Sequence, residues 1–508
     1  MRLTAPLLLL AAATTAYAID PPATAPSASE TPAEAAWKLT IAAATRAQAT
    51  GQDHEAETLF LRAVKIAEQF TPPDRRLLRS LDDLANVYRV QRQYDAAEPL
   101  YKRALASAEK DWGPNHPEVA FALHNLAWCY YEQGKLDAAL PLYKRSLQIL
   151  EKAGGPDSQV LAQTLNNLAL VYDNQGKYDA AAPLYLRALD IREKLLGENH
   201  LDVAQSLNNL AWLYRRQGKY DAAEPLFKRA LAIREKSLAP DHADVGAALN
   251  GLAALYASQH KYALAEPLFK RAVAIAEKNP GPDHPDFASA LNNLASLYSA
   301  QGKYDAAEPL LKRSLTIMEK TVGPNDGRLV TTLNNLADLY CKQVRYDIAE
   351  PLYQRELAIA EKDSEPDDRL VAAVLNSLGL LYDKQQKYAA AEPLYKRSLA
   401  IREKVYGPDH RAVGFVLADL AELYRHQDKF DAAEPLYKRS LAIFEKTLGP
   451  DHADVAETLE HYAALLQATK RPAEAQPLLA RAAAIRAKLT AATAPVPATA
   501  PATSRPAP

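Results

Sequence analysis

The chain has 508 residues, 48% of them hydrophobic and 24% charged, and its 60 basic and 62 acidic side chains leave a net charge of -2. That balance provides no field to draw nucleic acid, and two cysteines without a CxxC pair exclude a disulfide framework or a cysteine-rich metal site. Length alone suggests about three domains of ~150 residues, but a fixed internal period replaces that count with a single repeat array.

The first residues, MRLTAPLLLLAAATTAYA, place a basic Arg2 before an apolar run from Leu7 to Ala13 and an Ala16-x-Ala18 ending. This is the layout of a secretory signal peptide over residues 1–18, too short to span a membrane. Export is expected, with cleavage after Ala18, into the periplasm first and to the outside as the alternative. No cysteine follows that point, so a lipoprotein anchor is not indicated. Residues 19–36, IDPPATAPSASETP and its continuation, read as a Pro/Ala-rich linker. No other apolar stretch is long enough for a membrane span.

From Trp37 to Leu489 the sequence repeats. Pro99, Pro141, Pro183, Pro225, Pro267, Pro309, Pro351, Pro393, Pro435 and Pro477 recur every 42 residues, and LNNLALVY from Leu165 matches LNNLAWLY from Leu207, LNNLASLY from Leu291 and LNNLADLY from Leu333. Ten units are in register, preceded by a degenerate one from Trp37 to Gln69. Leu165, Leu168, Ala169 and Tyr172 share one face of a first helix, A, and Ala181, Leu184, Tyr185 and Ala188 share one face of a second, B. In YDAAEPL, Asp221 is placed to cap helix B and Glu224 to close a capping box, which leaves Pro225 at the end of the first turn. Glu224 and Lys228 stand four apart, the favourable order for a surface pair. In GPDHPD, Gly281 suits the end of helix B and Pro285 the first turn of the next helix A. Beyond the array, residues 490–508, TAATAPVPATAPATSRPAP, are of low complexity and are expected to be disordered.

Catalytic signatures are missing: there is no P-loop, GxGxxG, GxSxG or HExxH, and no insertion large enough for a catalytic domain. The edge histidines His116, His200, His242, His284, His410 and His452 stand at least one repeat apart, too far for one coordination shell, and read as loop and cap residues. Cys129 falls in an apolar column and reads as core; Cys341 falls in a polar column and reads as exposed. Neither an enzyme, a cofactor nor a metal is expected.

The residues Leu165, Leu168, Ala169, Tyr172, Ala181 and Tyr185 follow the pattern of a tetratricopeptide repeat, and the chain resembles that family. The 42-residue form, with LNNLA, QGKYDAAEPLFKRALAIREK (residues 217–236) and GPDHPDFA (residues 281–288), is similar to kinesin light chain repeats and their bacterial relatives. The resemblance implies an all-α, right-handed superhelical solenoid of antiparallel helix pairs. It also implies a groove lined by helix A that holds a protein or an extended peptide.

Carried over residue by residue, the groove positions stand two before and one, two, five, eight and nine after the leading leucine. They comprise Arg89, Phe121, His124, Asn125, Trp128, Tyr131, Asn166, Asn167, Asn208, Asn209, Trp212, Arg215, Arg216, Asn292, Asn293, Asn334 and Asn335. An asparagine amide donates and accepts, so such a ladder suits a partner backbone, or else ties adjacent helices. Aromatic and guanidinium groups concentrate from Arg89 to Arg216, the composition of a binding hot spot, which points to an acidic partner with an apolar anchor. Polar residues in the tryptophan slot (Ser296, Asp338, Glu422) argue that this slot is not packed core. The alternative function is a structural or self-assembling cell-envelope protein associated with glycan.

Overall fold

The computed structural model describes residues 31–70, 75–153, 158–362 and 368–493. The expected signal peptide, most of the expected linker and the tail from residue 494 onward lie outside the described residues. The chain forms two compact units, Met1–Pro282 and Asp283–Pro508.

Within the first unit, the helix pairs are Pro32–Ala49 with Asp53–Ala67, Arg75–Val90 with Tyr94–Trp112, Pro117–Glu132 with Leu136–Lys152, Gln159–Asn174 with Tyr178–Leu196, Leu201–Arg216 with Tyr220–Ser237, and Ala243–Ser258 with Tyr262–Lys278. The second unit pairs Pro285–Ala300 with Tyr304–Val322, Val330–Lys342 with Tyr346–Lys362, Asp368–Lys384 with Tyr388–Tyr406, Arg411–His426 with Phe430–Leu448, and Ala453–Ala468 with Pro472–Thr493. Helix A and helix B therefore alternate as the period requires. Two boundaries differ from expectation. Thr31 caps the first helix with a complete capping box to Glu34, so Pro32 to Ala36 are helical instead of linker. The last helix runs to Thr493, four residues into the expected tail.

Each pair closes on small residues. Ala169 of helix A and Ala181 of helix B are fully buried, as are Ala211 and Ala223, which lets the two backbones approach while Leu165, Tyr185 and Ala188 fill the layer. The six edge histidines are helix A caps: the Nδ1 of His200 accepts from the Asp202 N–H at 3.1 Å, and His116, His242, His284, His410 and His452 do the same. Cys129 is buried, whereas Cys341 is half-buried, 4.0 Å from the Tyr353 hydroxyl, and not exposed.

The start of helix B corrects the capping expectation. Helix B begins at Tyr220, its N-cap is Lys219, and no side chain caps it. The turn instead returns the Lys219 N–H to the Tyr214 carbonyl at 2.9 Å through Gly218 at φ +73°. Asp221 thus sits in the first turn, favourable for the helix dipole, and Glu224 bonds Lys228 at 2.7 Å. Pro225 lies inside the helix, where its missing N–H forfeits one bond in the second turn.

Consecutive helices B are tied by a surface ladder with a spacing of 36: Arg145 to Glu109, Arg229 to Glu193 and Arg355 to Glu319, at 2.6, 2.6 and 2.5 Å. Each exposed pair of this kind contributes roughly 0–1 kcal/mol.

One buried position breaks the column it belongs to. Ser146, Ser314, Ser398 and Ser440 are fully buried, and each donates to a helix A carbonyl, as Ser146 does to Ala120 at 2.7 Å. In the same column stands Glu356, 2% exposed, with the Asn334 amide at 3.4 Å. Burial pushes its carboxyl up to about 8 from an ordinary 4.5. The native state then keeps a proton that the unfolded chain releases, so this group lowers stability progressively as pH rises from about 4.5 to about 8. Glu356→Ser is expected to raise the melting temperature at pH 8 and to flatten its pH dependence over that window. Melting curves of both proteins at pH 5, 6.5 and 8 check this, and a serine variant with the parent's pH slope would contradict it.

Candidate binding face

Within each unit, the 42-residue period places helix A side chains beside residues that lie 43 positions later, in the next helix A. Two parallel lines of side-chain contacts follow within each unit.

The first line joins the residue one after a leading leucine to the residue two after the next. Asn209 Nδ2 donates to Asn166 Oδ1 at 2.9 Å, Asn335 Nδ2 to Asn292 Oδ1 at 3.1 Å, and Asn376 Nδ2 to Asp419 Oδ2 at 2.8 Å. Asp82, buried opposite Asn125, has its carboxyl pushed well above the carboxylate range by burial. In the first unit these contacts form a relay with every donor pointing the same way. Arg234 donates to Gln205 (2.9 Å), Gln205 to Asn209 (2.9 Å), Asn209 to Asn166, Asn166 to Asn167 (3.3 Å), and Asn167 to His124 Nε2 (3.3 Å). With Nε2 accepting, the imidazole carries its proton on Nδ1, 3.1 Å from Thr164 Oγ1. Burial pulls the His124 pKa down to about 4, which keeps the ring neutral as the relay requires. Chains of this kind polarise one another and strengthen each link.

The relay is interrupted where the sequence departs from asparagine. Gly251 stands where Asn208 would find its partner; a Cβ there would meet the Phe227 ring at 2.7 Å, and the Asn208 amide, 1% exposed, has no hydrogen-bond partner. Asn292 and Asn293 are buried, while Asn125, Asn334 and Asn335 are half-buried. Asn335 also donates to Ser296 at 3.3 Å and Asn334 to Glu356.

The second line joins the residue eight after a leading leucine to the residue nine after the next. Arg89 binds Glu132 at 2.7 Å, Tyr131 accepts from Asn174 at 2.8 Å, Asp173 pairs with Arg216, and Arg215 donates to Ser258 at 2.8 Å. In the second unit, Lys342 donates to Ser299 at 3.1 Å, and His426 lies 3.0 Å from Asp383. Arg89 and Arg216, expected as contacts for a partner, are thus also interhelix ties. Their partners Glu132 and Asp173 belong to the same face, and the spacing of 43 between opposite charges was the signal for them. Asp173 is 2% exposed, and burial lifts its carboxyl to about 6 against the pull of Arg216.

The tryptophan slot, five after the leading leucine, packs on the large residue of its own helix B. Trp212 is 6% exposed and meets Phe227 edge-on at 5.6 Å, with the Arg215 guanidinium 4.5 Å above its ring. At three positions a helix B hydroxyl bonds a polar residue in this slot, whereas Ser296, opposite Leu311, donates to the Asn292 carbonyl of its own helix at 2.9 Å. Tyr101 donates to Asn86 at 2.8 Å, Tyr353 to Asp338 and Tyr437 to Glu422. Asp338 is exposed and Asn86, Ser296 and Glu422 are half-buried, so none of these polar side chains is packed core. Trp128 is only half-buried; it stacks on Tyr131 with ring centroids 5.0 Å apart and 20° between planes. Phe121 is half-buried on the same helix.

No group of three metal-ligating side chains and no helix able to cross a membrane occurs among the described residues.

A model described as tetratricopeptide repeat matches residues 34–110, 76–152, 160–236, 244–320, 328–404, 384–446 and 415–488. No curated protein sequence gives a significant match. Among solved structures, the chain is similar to BtubC (BKLC) from P. vanneervenii, with 28% identity over 50% of this chain and 94% of that one, at a TM-score of 0.38. It is also similar to the nearly identical TPR-like repeats of a kinesin light chain from P. anserina, with 26% identity, 40% and 95% coverage and a TM-score of 0.36. A Rap protein complexed with competence and sporulation factor shares 18% identity, over 74% of this chain and 99% of that one, at a TM-score of 0.48.

Two outcomes follow for the relay. Asn209→Ala leaves the buried Asn166 oxygen without its donor and is expected to cost ~1–3 kcal/mol, seen as an earlier denaturation step. His124 stays neutral in the folded state, while the unfolded ring gains its proton near 6.5, so stability falls on acidification from about 6.5 to about 4. His124→Asn, the residue of the following repeat, should remove that contribution; a variant whose melting changes between pH 7 and 4.5 by as much as the parent's would refute the assignment.

Proposed function

Because the chain belongs to the tetratricopeptide repeat family, we propose that it is a non-catalytic scaffold that holds a protein or an extended peptide segment against its helix A face. The observation that carries this reading is the half-buried Trp128–Tyr131 stack. A stacked aromatic pair presents a large apolar area at small entropic cost, the composition of an interface anchor. Phe121 extends it on the same helix.

The electrostatics support an acidic segment. Arg215, half-buried, has its pKa pulled down to about 10 by burial and by Arg216 beside it. A carboxylate brought to this pair would offset that cost and gain a charge-assisted hydrogen bond. The amides of Asn125, Asn334 and Asn335 are only half-buried and retain hydrogen-bonding capacity for a partner backbone. Buried Asn166, Asn167, Asn208, Asn209, Asn292 and Asn293 shape the face from below. The signal-like first 18 residues support export, to the periplasm first.

Trp128→Ala is expected to weaken a partner isolated with the exported chain by ~2 kcal/mol, with melting little changed. Arg215→Gln should weaken it less and reduce its dependence on salt. Titrations of the isolated partner decide this, and Trp128→Ala binding as tightly as the parent would overturn the reading.

A further inference from the structure

At the edge where helix A turns into helix B, most repeats build the same four-residue cluster. A glutamate in the first turns of helix B accepts from a tyrosine of the following helix A and pairs with two cations. Glu98 takes Tyr130 at 3.0 Å, Lys102 at 2.6 Å and Lys135 at 4.0 Å. Glu308 takes Tyr340 at 3.0 Å, Lys312 at 2.7 Å and Arg345 at 3.1 Å; Glu392 and Glu434 repeat the arrangement.

Two adjacent repeats lack the acid. Leu140 and Ala182 stand where every other repeat from Glu98 to Glu434 places glutamate, and Leu186, 46% exposed, replaces a lysine. The rest of each cluster is retained. Lys144, without its glutamate, lies 5.7 Å from the Tyr172 ring centre, and Lys219 lies 5.9 Å from that of Tyr214. Lys177 occupies the place of Lys135. Among the described residues, these three exposed lysines have no carboxylate within ion-pair distance, and neither tyrosine hydroxyl has a protein partner. The first-turn aspartates Asp137, Asp179 and Asp221 have counterparts at Asp95 and Asp305 beside complete clusters, so the missing glutamates are what differs.

We infer that this edge, in the second and third complete repeats, docks a segment of a partner protein that carries carboxylates beside an apolar side chain. Its acids take the places of the absent glutamates between Tyr172 and Lys144 and between Tyr214 and Lys219, and its apolar residue covers Leu140 and Leu186. The fit is one of charge complementarity: three cations and two hydroxyls already stand in the geometry that binds a carboxylate elsewhere in the chain. This edge is distinct from the Trp128–Tyr131 face and does not depend on it.

The probe is a set of nine-residue, end-capped, fluorescein-labelled peptides with two glutamates at every spacing around one leucine, each with a glutamine counterpart. Fluorescence anisotropy against the full chain should show at least one glutamate peptide binding about tenfold or more tighter than its counterpart. The triple variant Leu140→Glu, Ala182→Glu, Leu186→Lys restores the repeat's own cluster. It should lose that binding about tenfold or more while melting at the same temperature or higher. Trp128→Ala should leave it unchanged. The inference is overturned if no glutamate peptide is preferred, if the restored variant binds as well as the parent, or if Trp128→Ala abolishes the binding. Sedimentation showing self-association that Leu140→Glu removes would assign the edge to a second copy of this chain and equally overturn it.

Discussion

The structure depends on one geometric constraint, that a helix A side chain faces the residue 43 positions further on. A single helix pair cannot bury both of its faces, so each repeat supplies its neighbour with apolar cover and with hydrogen-bond partners. Asn166 is bonded by Asn209, Asp173 Oδ2 by Arg216 and Arg89 by Glu132, each across one repeat. Such pairs lie in a partly dehydrated layer where an unmatched polar group is costly. The period is therefore enforced by chemistry as well as by packing.

The same constraint explains why deviations come in compensated sets. Phe227, in place of the tyrosine of other repeats, meets Trp212 edge-on and occupies the space beside Gly251. Tyr353 and Tyr437 retain the hydroxyl that Asp338 and Glu422 require. Where compensation is incomplete, a buried polar group is left with a shifted titration or no partner, as at Glu356 and Asn208. Each repeat touches its neighbours alone, so these irregularities stay local.

Cohesion between repeats runs along the helix A face. Groups such as Arg89 and Arg216 hold consecutive helices together, which orders their side chains in advance of any further contact. The half-buried Trp128–Tyr131 stack is supported from the next repeat by Asn174, which bonds the Tyr131 hydroxyl. The helix turn edge follows another logic, since its cations and hydroxyls form one recurring cluster around a glutamate that two repeats do not supply.

The sequence by itself determined the repeat length, the alternation of helix A and helix B, the capping histidines and the core columns, because period and side-chain polarity are local properties that every repeat restates. It also located the face on which Asn166, Trp128 and Arg216 lie. Tertiary structure alone decided which partners those groups have. The capping box at Asp221 gave way to the Gly218 turn, Asp338 and Glu422 in the tryptophan slot were paired by a helix B hydroxyl, and Trp212 was buried while Trp128 was not. These outcomes depend on distances between residues of neighbouring helices, and a residue type with its spacing along the chain does not specify how its polar atoms are satisfied across the interface.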